Sequence, residues 1–142
     1  MDDPFRLQRF VDAQSRVYAT ALGELRQGHK RTHWMWFIFP QVAGLGLSST
    51  AEFYAIRSAE EARAYLAHPV LGPRLLASVA AVNALEGRTA QEIFGFPDDL
   101  KFCSSMTLFA QVAEDPAPFR AALAKYYEGA ADPLTLDRLV PG

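Results

Sequence analysis

The sequence predicts an all-α fold, a single multihelical domain of about six to eight helices over residues 1–142. Three observations carry this expectation. Apolar residues recur at three-four spacing through most of the chain. Hydroxyl residues stand three positions before glutamates at the element boundaries. Neither an Asn-Gly hairpin nor a sustained period-two stretch occurs. A chain of 142 residues is ordinary for one domain and can bury roughly two thirds of its unfolded surface without covalent staples.

Asp3 before Pro4 offers an N-cap and a proline whose missing N–H costs nothing in a first turn. From there Leu7, Phe10, Val11, Tyr18, Ala21, Leu22 and Leu25 mark one buried helical face, and Gly28 is a natural stop. The stretch KRTHWMWFIFPQ, residues 30–41, runs apolar without interruption from Trp34 to Phe39. Thr32 can cap a short helix beginning at His33 and ending before Pro40, because a lone strand would leave its backbone groups without partners. Ser49 with Glu52, Ser58 with Glu61 and Thr89 with Glu92 each read as a capping box, in which hydroxyl and carboxylate satisfy the free N–H groups of a helix start. The helix over residues 59–67 stops at His68, which precedes Pro69 and so disfavours the α conformation. Pro73 opens the next helix, with Leu75, Leu76, Val79, Val82 and Leu85 inward and Gly87 as terminator. A helix from about Asp98 to Ala113 capped by an aspartate, one from about Pro116 to Glu128, and a short one after Asp132-Pro133 complete the set.

Composition narrows the function. Half the residues are hydrophobic and 21% are charged, which suits a packed domain rather than a disordered one. The formal net charge of −2, with only Lys30 and Arg31 beside the aromatic run, gives no cationic groove, so nucleic acid is not an expected partner. Cys103 is the single cysteine and cannot form an internal disulfide. His29, His33 and His68 show no HxxxH or HExxH spacing, so neither metal nor cofactor is expected. The N-terminal MDDPFRLQRF is unlike a signal peptide, and the longest apolar run falls far short of the roughly 20 residues that span a bilayer. No membrane partner is expected, and the expected location is cytoplasmic. There is no GxSxG elbow, and GLG at 44–46 is too short for a phosphate-cradling loop.

Candidate site residues are the polar groups written into apolar surroundings. Gln14 falls on the apolar stripe of the first helix, where its amide must find partners, structural or ligand. On the helix from Asp98, Leu100, Phe102, Cys103, Met106, Leu108, Phe109 and Ala110 cover most of the circumference, as in a central buried helix. Lys101, Ser104 and Ser105 share the remaining sector and could hold an anion or a sugar-phosphate; their alternative is to face solvent or bond the carbonyl one turn back. Asp98 and Asp99 are weak catalytic candidates, since a helix start stabilises carboxylates without any chemistry. In the aromatic run Phe37 and Ile38 read as core. Trp34 and Trp36 carry N–H groups that want acceptors and read as pocket walls, with His33 at the rim.

The stretches DPFRLQRFVDAQ, HWMWFIFPQ, GLGLS, YAIRSAEEARAYLAHPVLGPRL and DDLKFCSSMTLF together resemble a bacterial domain-of-unknown-function family, sometimes named calpastatin or calpastatin-like. The resemblance spans essentially the whole chain and implies a multihelical fold, but assigns no reaction. Where the family's pattern has a leucine after the lysine, this chain has Phe102. Calpain inhibitors are disordered segments that fold onto a protease, whereas this chain encodes a full apolar core with regular caps. A fainter similarity, of helical architecture alone, connects the chain to hydrolases acting on ADP-ribose-linked nucleotides and transfers no catalytic residue.

Two classes of function follow. In the first, the tryptophans stack a base, Lys101, Ser104 and Ser105 hold phosphate or ribose, and an aspartate assists water. The protein then binds a small anionic ligand of nucleotide or ADP-ribose type, or hydrolyses its N-glycosidic bond. The alternative is a non-catalytic protein-interaction or regulatory module whose partner the sequence does not identify, with an exposed apolar patch and no pocket near His33.

Overall fold

Helix α8 (Asp98–Val112) runs through the centre of the molecule, with eight of its residues buried, Phe102 and Ser104 to Ala110. The computed structural model describes residues 3–46 and 48–139; residues 1–2, 47 and 140–142 lie outside them. Ten helices occur among the described residues: α1 (Gln8–Gln14), α2 (Tyr18–Gln27), α3 (Met35–Ile38), α4 (Ser49–Phe53), α5 (Ala59–Ala67), α6 (Leu71–Asn83), α7 (Ala90–Phe94), α8, α9 (Ala117–Tyr127) and α10 (Pro133–Leu139). The fold is all-α, with more helices than the six to eight expected; a break at Ser15 divides the first apolar stripe into α1 and α2. α5, α7, α9 and α10 pack on α8, while α6 lies against α2, α5 and α9. No single described helix is long and apolar enough to cross a membrane.

The first stripe shows the division. The Ser15 N–H is shared between the Val11 and Asp12 carbonyls, and its hydroxyl returns to the Asp12 carbonyl at 2.7 Å, which ends α1 by local competition. Asp3 does cap this helix, but from a distance: its carboxylate accepts from the N–H groups of Leu7 at 2.8 Å and Gln8 at 3.0 Å, and Pro4 stays outside the helix. Gly28 closes α2 at φ 79°, as expected of a left-handed stop.

The three expected capping boxes resolve differently. At α7 the box is complete: Thr89 accepts from the Glu92 N–H and Glu92 from the Thr89 N–H. At α5 the Ser58 hydroxyl caps Glu61, but the Glu61 carboxylate bonds the Arg57 N–H and the Arg9 guanidinium instead of closing the box. At α4 the cap is Ser48, one residue before the expected Ser49, and it accepts from the Ala51 N–H. α8 has no aspartate cap; Pro97 takes that position after a cis Phe96–Pro97 bond, and Asp98 and Asp99 stand in the first turn. α3 is capped by neither Thr32 nor any other side chain and begins at Met35. α6 starts at Leu71, where the N–H groups of Val70 and Leu71 point at His68 Nδ1, and ends at Asn83, short of Gly87.

Aromatic rings bind these helices together. Phe102 stacks on Phe94 at 4.6 Å between centroids and meets Phe39 edge-on at 4.9 Å, so it joins α8 to α7 and to the residue that closes α3. Each such pair adds about 0.5–1.5 kcal/mol beyond the burial of its area. One parallel bridge, Val42 to Ile56, is the exception to helical structure among the described residues. It holds residues 41–43 beside 55–57 through Ala43 N–H to Ile56 carbonyl and Ile56 N–H to Gln41 carbonyl, both 2.8 Å.

Candidate functional site

That bridge forms one wall of a cleft of about 430 Å³, within the size range of small-ligand sites. Met35, Phe39, Val42 and Ala55 supply a buried apolar floor, and half-buried Trp36 and Tyr54 line it above. Gln41, Glu52, Arg57, Lys101 and Arg138 bring polar groups to the same space from five separate segments. The arrangement is amphipathic, an apolar base beneath a cationic mouth.

Lys101 is positioned by a chain of alternating charges and rings. Its ammonium lies 3.3 Å from one carboxylate oxygen of Asp98 and 5.3 Å from the centroid of the Trp36 ring. The other Asp98 oxygen meets Lys30 at 2.9 Å, and the Lys30 ammonium lies 5.1 Å from the Trp34 ring. Two lysines thus share one carboxylate, and each covers one tryptophan of the HWMWF stretch. The Lys30 side chain is 7% exposed and the Lys101 side chain 30%, so the first pairing is internal and the second opens to the cleft. One carboxylate does not neutralise two ammoniums, and Lys101 keeps capacity for a further anion.

The other expected site residues are placed elsewhere. Trp34 is fully buried and lines no part of the cleft; its indole N–H donates to Glu24 at 2.9 Å. The expectation of two pocket walls is therefore corrected to one, Trp36, and the face of that ring meets Lys101 rather than an open slot for a base. Phe37, expected in the core, is only half-buried. His33 is exposed and does not line the cleft. Gln14 is buried and structural: its amide donates to the Phe37 carbonyl at 2.6 Å and to the Tyr65 hydroxyl at 3.0 Å, and accepts from Arg74. Ser104 lies between the Leu100 carbonyl and Asp132, whose carboxylate also caps α10 at Thr135. The Ser105 hydroxyl is buried and, among the described residues, unpartnered, as is one oxygen of Asp99; neither residue lines the cleft.

Sequence reasoning missed Glu24, Arg57 and Arg138. Glu24 lies three residues past Ala21 and beside Leu25, on the stripe that drew attention to Gln14, so a signal for it existed. Its carboxylate accepts from the Arg31 and Thr32 N–H groups, the Thr32 hydroxyl and Trp34. Burial alone would raise its pKa, but these four donors outweigh the desolvation and hold it at about 2. Arg57 and Arg138 sit at exposed positions, where arginines ordinarily signify solvation, and nothing in their spacing announces that they converge.

Residues 4–139 match the family model described as "Protein of unknown function (DUF1810)". The chain belongs to the DUF1810 family. The crystal structure of the conserved hypothetical protein Rv1873 from Mycobacterium tuberculosis matches this DUF1810 chain with a TM-score of 0.97 at 55% identity, over 99% of this chain and 100% of that one. No protein among the curated ones matches. Within this DUF1810 protein, Cys103 offers no nucleophile at neutral pH: burial first, and the nearby Asp132 carboxylate second, push its thiol up to about 11.

Proposed function

We propose that the cleft binds a small anionic ligand with a flat or apolar portion, the chemical class that includes nucleotides and ADP-ribose. The supporting observation is the convergence of Lys101, Arg57 and Arg138 over an apolar floor, with Glu52 the single carboxylate lining the cleft among the described residues. Cations gathered at a concave mouth raise the local concentration of anions, here on a chain whose net charge is −2. Trp36 and Asp98 pre-position the Lys101 ammonium, so less freedom is lost on binding. Hydrolysis of an N-glycosidic bond would also require a carboxylate at the cleft to direct water. Asp98 is turned toward two ammoniums and Asp99 is outside the cleft, which leaves Glu52 for that role.

The alternative, a protein-interaction module, draws on the exposed side chains of Phe96, Leu100 and Leu134. The two readings part in a thermal-shift series with AMP, NAD, ADP-ribose and inorganic phosphate. A ligand at 100 times its Kd stabilises by about 2.7 kcal/mol, which raises Tm by roughly 5–10 °C in a chain of this size. Lys101→Ala should fold normally and lose most of the shift. Unchanged melting of the wild-type protein with every probe at millimolar concentration would sink the ligand reading.

A further inference from the structure

We infer that the cleft contains two separate anion subsites, one at Lys101 and one at Arg138 with Arg57, and that its ligand carries two linked acidic groups, as a nucleoside diphosphate does. This deepens the ligand reading above and rests on it. The observation is the seat of Arg138. Gly44 has φ 95°, a left-handed conformation that favours glycine, and a Cβ at that position would lie 2.7 Å from the Arg138 guanidinium carbon and 2.8 Å from one of its nitrogens. The guanidinium therefore rests directly against the glycine backbone, in space that any other residue would occupy. The GLG stretch, too short to cradle a phosphate, instead makes room for an arginine delivered from α10.

α10 is itself anchored: Asp132 caps it at the Thr135 N–H, accepts from Ser104 of α8, and donates its own N–H to the Thr107 hydroxyl. Among the described residues neither Arg138 nor Arg57 lies within salt-bridge distance of a carboxylate. The Arg138 fork remains available for the paired N–H bonds that suit phosphate or carboxylate oxygens, and Arg57, whose Nη2 donates to the Glu52 carbonyl at 3.4 Å, keeps the rest of its fork for the same use. Lys101 comes from a different element, α8, and is held there by Asp98 and Trp36. Lys101, seated on Asp98 and Trp36, and Arg138, lying against Gly44, are positioned by different contacts, and a ligand with two linked acidic groups can meet each where it stands. Three cations against one carboxylate leave a surplus of two positive charges in the cleft, which two linked acidic groups would neutralise where they stand.

The test is calorimetric titration of the full chain with AMP and ADP, and with phosphate and pyrophosphate as ring-free counterparts, at one fixed ionic strength. The wild-type protein should bind ADP at least about tenfold more tightly than AMP, the scale of one charge-assisted hydrogen-bonded contact. Pyrophosphate should exceed phosphate in the same sense. Arg138→Met, at an exposed position, should remove most of the preference for ADP over AMP. Gly44→Ala should act like Arg138→Met, with Arg138→Met deciding if that variant fails to fold. Equal affinity for AMP and ADP, or an Arg138→Met variant that keeps the wild-type preference for ADP, would overturn the two-subsite assignment and leave the ligand reading intact. Absence of binding by all four probes would overturn both.

Discussion

Trp34 and Trp36 stand two residues apart, each beneath a lysine that pairs with Asp98, yet one belongs to a closed knot and the other to an open cleft. Trp34 stands just before α3 with a non-helical backbone and is fully buried, whereas Trp36 lies within α3 and is half-buried. What differs is the completeness of the polar partners. Around Trp34, the buried Glu24 carboxylate takes four donors and Lys30 finds Asp98, so every group is satisfied by the chain itself. Around Trp36, Lys101 shares its carboxylate, and among the described residues Arg57 and Arg138 have none. The same residue types are structural where their valences are filled and available for a ligand where they are not.

The largest expected effect breaks the closed side. Trp34→Ala removes a fully buried ring and leaves Glu24 short of one donor, and should lower the unfolding free energy by about 4 kcal/mol, measured by urea denaturation. Trp36→Ala, at a half-buried wall, should cost well under half of that.

Acid probes the same knot without removing a ring. The folded pKa of Glu24, about 2, lies below its ordinary 4.5, so its contribution is present in full above about pH 4.5 and is lost as pH falls through 2. The shift corresponds to about 3 kcal/mol, expected as the difference in pH dependence between the wild-type protein and Glu24→Gln in urea unfolding between pH 5 and pH 2. Parallel pH dependences for the two proteins would show that the four hydrogen bonds contribute far less than their geometry suggests.

Much of this fold is written locally, and that part was legible. Thr89 and Glu92 close their box within four residues, Gly28 supplies the left-handed stop, and the nearly continuous apolar circumference of residues 100–110 marks α8 as the central helix. The break at Ser15 was hidden because α1 and α2 address one core, and the stripe runs on across the break. With serines at both 48 and 49, spacing alone could not say which of them caps α4. The site was legible only in part. Lys101 and Trp36 were marked by polar or amphipathic chemistry on buried elements. Which tryptophan turned inward depended on Glu24, ten residues earlier on another helix, and the Arg138 guanidinium occupies space that Gly44 leaves open. Such facts depend on how distant segments meet, and no local period encodes them.

The smallest expected change isolates the open side. Trp36→Phe keeps an aromatic wall but offers the weaker ring face to a cation, so it loosens Lys101 without opening a large cavity. Its stability should stay within about 0.5 kcal/mol of the wild type, while affinity for a phosphate-bearing ligand falls by roughly two- to threefold. Trp34→Phe reverses the pattern: the indole N–H to Glu24 is lost, stability drops by about 1–3 kcal/mol, and affinity is unchanged. Urea unfolding and ligand titration on the two variants give four numbers, and the comparison rests on their crossing. If Trp36→Phe changed stability as much as Trp34→Phe and left binding untouched, Trp36 would be core in the same sense as its neighbour, and Lys101 would hold its place through Asp98 alone.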